Sequence, residues 1–101
     1  MKNKNLLLNQ DINKQIKLNT RKILRGQLAL ESFEDAKATK FEIITQTMQK
    51  IREYRNLKPN LTNQQLLEQS NNVCQFLENA YTSLGRENFT FFDDGDVLFN
   101  G

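Results

Sequence analysis

The C-terminal segment of this chain constrains its fold most, because its pattern differs from everything before it. Four of the seven phenylalanines fall in the last thirteen of 101 residues, around an aspartate-rich turn. Residues 89–92 and 97–99 are short β-prone runs, and Asp94-Gly95 between them is a strong signal for a two-residue hairpin turn. We therefore expect a β-hairpin over about residues 89–99, or an extended segment in its place.

A two-residue turn at Asp94-Gly95 also predicts which residues face each other across the hairpin. The predicted pairs are Phe92 with Val97, Phe91 with Leu98, and Thr90 with Phe99. Both faces of the ribbon would then be apolar. A two-stranded hairpin is marginal in water by itself, so one face should pack on the rest of the protein and leave the other for a partner.

Apolar residues at helical spacing predict the first of three helices, over about residues 6–30. Gly26 lies within it, and a glycine inside a helix costs about 1 kcal/mol relative to alanine, so we expect the helix to bend or break there. The apolar stripe consists of Leu8, Ile12, Ile16, Ile23 and Leu30.

Capping and stop signals predict the other two helices. Ser32 is a natural N-cap for the second helix, and Pro59 ends that helix because a proline disfavours helical backbone in the preceding residue. Thr62 and Gln65 have the spacing of a capping box at the start of the third. The expected ranges are about residues 33–57 and about 63–84. Phe33, Ala36, Phe41, Ile44, Met48, Ile51 and Tyr54 form the expected buried stripe of the second helix.

These elements together predict the fold class: a mainly α protein, with a three-helix up-down-up bundle and a C-terminal β-hairpin or extended segment. Residues 1–101 are expected to form a single domain with one thin core, since small domains bury a smaller share of their surface. Long helices of modest apolar content often complete their burial by pairing with another copy. The pattern therefore leaves a homodimer open.

The composition argues against an enzyme. Histidine is absent, and Cys74 is the single cysteine. Histidine is the commonest general base near neutral pH and the commonest metal ligand. The chain also carries no dinucleotide fingerprint, P-loop or serine-nucleophile motif. We therefore expect no catalytic residues, no metal site and no cofactor.

The same composition indicates where the protein resides. A lone cysteine cannot form an intramolecular disulfide, and domains without such bonds are typical of reducing compartments. No stretch of the sequence approaches the roughly 20 apolar residues that a membrane-spanning helix needs. We expect a cytoplasmic protein without a membrane span.

Charge is distributed unevenly along the chain. Residues 1–30 hold seven lysines and arginines against one aspartate, a net charge of +6. Residues 61–101 hold one arginine against six acidic residues, a net charge of −5. Such asymmetry predicts that each end has its own electrostatic partner, which can be the other end of the same chain.

The C-terminal segment is the leading candidate for a binding surface, because aromatic side chains dominate the energetics of protein interfaces. The leading interpretation is a non-enzymatic interaction protein, such as an inhibitor, an adaptor or an immunity-type protein. It would bind a larger macromolecule, and a protein is the leading candidate for that partner. The same phenylalanines could instead cap the end of the bundle. The candidate residues are Phe89, Phe91, Phe92, Asp93, Asp94, Asp96, Leu98 and Phe99.

The alternative is a nucleic-acid-binding regulator that uses the polar face of the first helix. Phosphate backbones attract a line of cations such as the one on this face. A solvated helix face would show the same pattern, and this face lacks the interleaved aromatic residues that stack on bases. The candidate residues are Lys14, Lys17, Arg21, Lys22 and Arg25.

Overall fold

The computed structural model describes the backbone of residues 2–36 and 40–101, and side chains from residue 10 onward within those ranges. Three helices and a two-stranded antiparallel hairpin confirm the predicted mainly α fold with a C-terminal hairpin. The elements are α1 (Lys2–Ala36), α2 (Phe41–Leu57), α3 (Asn63–Leu84), β1 (Phe89–Phe91) and β2 (Val97–Phe99), with short 3-10 helices at Lys58–Asn60 and Arg86–Asn88.

Helices α1 and α3 run in the same direction. Asn19 of α1 donates a hydrogen bond to Ser70 of α3, and Gly26, two turns further along α1, lies against Tyr81. Since α2 connects the end of α1 to the start of α3, it runs in the opposite direction, which gives the up-down-up order. The hairpin follows α3 and packs against the C-terminal half of α1.

All three helices and the hairpin contribute to one core. In α1 the predicted stripe is buried at Ile16, Ile23 and Leu30 and half-buried at Ile12, while Leu8 lies outside the described side chains. The larger residues of the central core cluster are Ile23, Leu30, Phe33, Ile44, Ile51, Tyr54, Val73, Leu77, Tyr81, Leu84, Phe89 and Val97.

The predicted boundary between the first two helices is wrong. Instead of ending near residue 30, α1 continues to Ala36, and it begins at Lys2. Ser32 is not an N-cap: its hydroxyl donates to the Leu28 carbonyl at 3.0 Å, one turn back within the helix. The helix continues because no proline interrupts it and because Phe33 is buried on the side that faces the rest of the core.

Three members of the stripe predicted for α2 are therefore placed differently. Phe33 and Ala36 belong to α1, where Phe33 is buried, and both Ala36 and Phe41 are exposed. Lys40, with a left-handed φ of 75°, precedes Phe41, the first residue of α2. The capping box of α3 is confirmed, with Thr62 Oγ1 accepting from the Gln65 amide at 3.3 Å and Gln65 Oε1 accepting from the Thr62 amide at 3.1 Å.

Candidate functional site: the hairpin on helix α1

The hairpin turn has one residue more than its sequence predicts. The Phe92 amide donates to the Asp96 carbonyl at 3.0 Å, and the Gly95 amide donates to the Phe92 carbonyl at 3.1 Å. The loop between them, residues 93–95, ends on Gly95, whose φ is +94°. A three-residue loop that ends on a glycine with positive φ is the type I turn with a bulge.

This extra residue shifts the strand register by one, so the predicted pairs are wrong. The observed pairs are Phe91 with Val97, Thr90 with Leu98, and Phe89 with Phe99. Because side chains alternate along a strand, both residues of the first and third pairs point to one face and both residues of the middle pair to the other. The phenylalanines of the strands therefore share a single face.

That face closes the bundle as an aromatic cluster. Phe89 is only 5% exposed, and its ring stacks on Phe33 of α1 with centroids 5.7 Å apart. Tyr81 of α3 contacts Phe89 at 4.9 Å and Phe91 at 5.0 Å, and Phe99 meets Phe33 edge to face at 5.2 Å. Three of the eight residues expected to bind a partner, Phe89, Phe91 and Phe99, are therefore packed against the helices.

The outward side of the hairpin leaves two large apolar side chains in solvent. Phe92 is 48% exposed and Leu98 is 58% exposed. Leu28 of α1, which is 46% exposed, lines the same groove of about 370 Å³. Sequence reasoning named the two hairpin residues but missed Leu28. Its position outside the apolar stripe of α1 is the signal that could have identified it. Phe92, Leu98 and Leu28 are called the apolar groove below.

Ion pairs hold the acidic loop against α1. Asp96 Oδ1 lies 3.1 Å from Arg21 Nε and 3.2 Å from Arg25 Nε, and Asp94 Oδ2 lies 3.3 Å from Arg21 Nη2. The hydrogen bond to Asp96 and the charges of both carboxylates raise the pKa of Arg21. The basic face of the first helix and the acidic turn therefore bind each other.

We expect Asp96→Asn to lower the free energy of unfolding by about 0.5–1 kcal/mol at low salt, because it removes one partner of two exposed ion pairs. In about 1 M salt the difference should largely vanish, because the Debye length falls to roughly 3 Å. Urea unfolding at the two salt concentrations measures both. Asp93→Asn makes the same charge change in the same loop, where no ion pair of Asp93 is found among the described residues, and should have no comparable effect.

The other cations of the first helix lie in different surroundings. Lys14 and Lys17 are exposed, and Lys22 is half-buried. The loop passes directly over Lys22: a Cβ atom placed on Gly95 would lie 3.1 Å from Lys22 Cγ. The structure therefore leaves two of the five predicted phosphate-binding side chains, Lys14 and Lys17, exposed and outside the ion pairs of the described residues.

A second cleft, of about 470 Å³, separates α3 from the hairpin and carries Cys74 on its wall. Burial raises the pKa of the Cys74 thiol, which is the opposite of what a nucleophilic thiolate needs. The thiol lies 3.8 Å from the Asn19 carbonyl, as a weak donor. Burial likewise raises the pKa of Tyr81 and keeps its phenol protonated. These shifts favour a structural role for both residues.

Within residues 2–36 and 40–101, no cluster of three or more cysteine and carboxylate side chains could hold a metal ion. No helix in that part of the chain has the length and apolar character required to cross a membrane.

No protein-family model, curated protein or solved structure matches this chain. Its function is therefore inferred from the geometry of the hairpin and of α1.

Proposed function

We propose that this chain is a non-enzymatic interaction protein that binds another protein through the apolar groove beside its C-terminal hairpin. The observation that carries the proposal is the exposure of Phe92 and Leu98 next to Leu28, while the phenylalanines of the two strands pack inward on the helices. Large apolar side chains that converge on one exposed groove are the usual anchors of a protein interface.

The surroundings of the groove support the same function. The aromatic cluster beneath it and the ion pairs from Asp94 and Asp96 fix the hairpin to α1, so the groove is held in one shape before binding. A preformed surface avoids much of the entropy cost of ordering a loop on association. Arg21, Arg25 and the two aspartates also supply the mixed polar rim that surrounds many interface cores.

The nucleic-acid alternative has less support. Arg21 and Arg25, which would supply two of its phosphate contacts, already bind the carboxylates of the loop. The negative charges of Asp94 and Asp96 offset those of the two arginines and so weaken their attraction for a polyanion. A gel shift at low salt tests this alternative. Retardation of duplex or single-stranded nucleic acid, with binding that weakens steeply as salt is added, would favour it.

The test is capture of binding proteins from the native host by wild-type protein and by a Phe92→Ala/Leu98→Ala variant. Both side chains are exposed, so the variant should fold with unchanged helix content. We expect at least a tenfold loss of the captured protein, because truncated anchor residues dominate interface energetics.

A matched control is Phe41→Ala/Leu57→Ala, which removes one exposed phenylalanine and one exposed leucine from α2. It should capture the same proteins as wild type. If the control and the hairpin variant lose the same proteins to the same extent, general surface stickiness explains the capture and the proposed site is wrong.

A further inference from the structure

The face of α1 that points away from the core has the spacing of a coiled-coil seam. Six exposed residues follow one another at alternating steps of four and three, which is heptad spacing. Each of them lies on the solvent side of the helix, although the adjoining face of the same helix is buried in the core. In chain order they are Lys17, Arg21, Leu24, Leu28, Glu31 and Asp35.

The order of chemistry along this seam is unusual, because its two halves are complementary. Lys17 and Arg21 at one end are cationic, the leucines in the middle are apolar, and Glu31 and Asp35 at the other end are anionic. The pairs Lys17/Asp35, Arg21/Glu31 and Leu24/Leu28 share one midpoint, at position 26. A second copy of the seam, turned end for end, therefore places an opposite charge across from each charged residue and a leucine across from each leucine.

We infer that this face binds a second copy of the chain, with the two α1 helices antiparallel around a two-fold axis level with position 26. Leu24 of each copy would then face Leu28 of the other in a central apolar layer. Lys17 and Arg21 of each copy would face Asp35 and Glu31 of the other. Both ends of the seam carry these opposite-charge pairs, because an isologous two-fold interface makes every contact twice.

Charge also selects the orientation. In a parallel dimer, Lys17 would face Lys17 and Asp35 would face Asp35, so both ends of the seam would repel. Arg21 can take part although it binds the loop of its own chain, because its guanidinium has five N–H donors and the loop uses two of them. The intramolecular ion pairs and the pairing of two copies are therefore compatible.

This inference goes beyond the proposed function, since it assigns a second surface and its occupant. Leu28 belongs to both surfaces, but Lys17 and Asp35 lie outside the apolar groove, and Phe92 and Leu98 lie outside the seam. Variants at Lys17 and Asp35 therefore test the dimer, and variants at Phe92 and Leu98 test the groove.

The decisive experiment is a charge swap followed by sedimentation equilibrium at low salt, from micromolar to millimolar protein. Lys17→Glu replaces two attractive pairs of the dimer with two repulsive ones, and Asp35→Lys does the same with the opposite sign. We expect wild type to dimerise and each single variant to have a dimer Kd about tenfold higher. An equimolar mixture of the two variants should recover the wild-type affinity as a heterodimer, because each introduced charge then faces an opposite one.

Controls of equal charge change are Arg52→Glu on α2 and Glu68→Lys on α3, both at exposed positions outside the seam. They should dimerise like wild type. A carbodiimide cross-link between Lys17 of a labelled copy and Asp35 of an unlabelled copy, identified by mass spectrometry, would support the antiparallel register. A wild-type protein that remains monomeric at millimolar concentration, or two variants that stay monomeric when mixed, would overturn the inference.

Discussion

Phe89→Ala is expected to lower the free energy of unfolding by about 3–5 kcal/mol, the range for truncating a buried phenylalanine to alanine. Phe89 is buried, and its ring contacts Phe33, Tyr81, Phe91 and Phe99. Removing it leaves a void at the point where the hairpin joins α1 and α3. Urea unfolding followed by circular dichroism measures the loss.

Phe92→Ala is the matched control, since it makes the same truncation three residues away. Phe92 is about half exposed, and substitutions at exposed positions usually change stability by less than about 0.5 kcal/mol. A large difference between the two variants would show that the hairpin has a structural inner face and a free outer face. Equal effects would contradict the division of the hairpin into these two faces.

The helices were largely predictable because the signals that define them are local. The capping box at Thr62 and the proline at position 59 act within one turn, and α2 ends at Leu57, two residues before that proline. The boundary after α1 was not predictable by the same rules. Ser32 has the chemistry of an N-cap, but the burial of Phe33 under the hairpin, more than 50 residues away in sequence, keeps it inside a longer helix.

The register of the hairpin also could not be predicted from local sequence signals. The sequence predicts a turn at Asp94-Gly95, and a turn is there, but two- and three-residue loops share the same Asp-Gly signal. Which of them forms decides the register, and a shift of one residue changes the face of every side chain. The packing of the phenylalanines on Phe33 and Tyr81 selects the three-residue loop, and no local pattern contains that information.

The contact between the first helix and the acidic turn was foreseeable in part. The charge asymmetry predicts attraction between the N-terminal and C-terminal regions, and Arg21, Arg25, Asp94 and Asp96 are the residues that meet. The sequence does not show which cations of the first helix form ion pairs with the loop and which do not. That choice depends on where the hairpin docks along α1, which the aromatic cluster sets.

Gly26→Val is expected to lower the free energy of unfolding by about 3 kcal/mol, as an overpacked core substitution. Helix propensity predicts the opposite sign, because glycine is about 1 kcal/mol worse than alanine inside a helix. The structure decides between the two effects. A Cβ atom on Gly26 would lie 2.5 Å from Tyr81 Oη and 2.9 Å from both Leu77 methyl carbons, so these buried side chains or the helices that carry them must shift.

A double-mutant cycle tests whether Tyr81 causes this cost. The Tyr81 hydroxyl is buried and has no hydrogen-bond partner among the described residues, so Tyr81→Phe alone should be neutral or slightly stabilising. Gly26→Ala should destabilise by about 1–2 kcal/mol in the wild-type background and by clearly less beside Tyr81→Phe, with a coupling of roughly 0.5–2 kcal/mol. Urea unfolding of the four proteins gives the coupling. If Gly26→Ala stabilises the protein in both backgrounds, helix propensity dominates at position 26, and the close contact between α1 and α3 is not what requires glycine there.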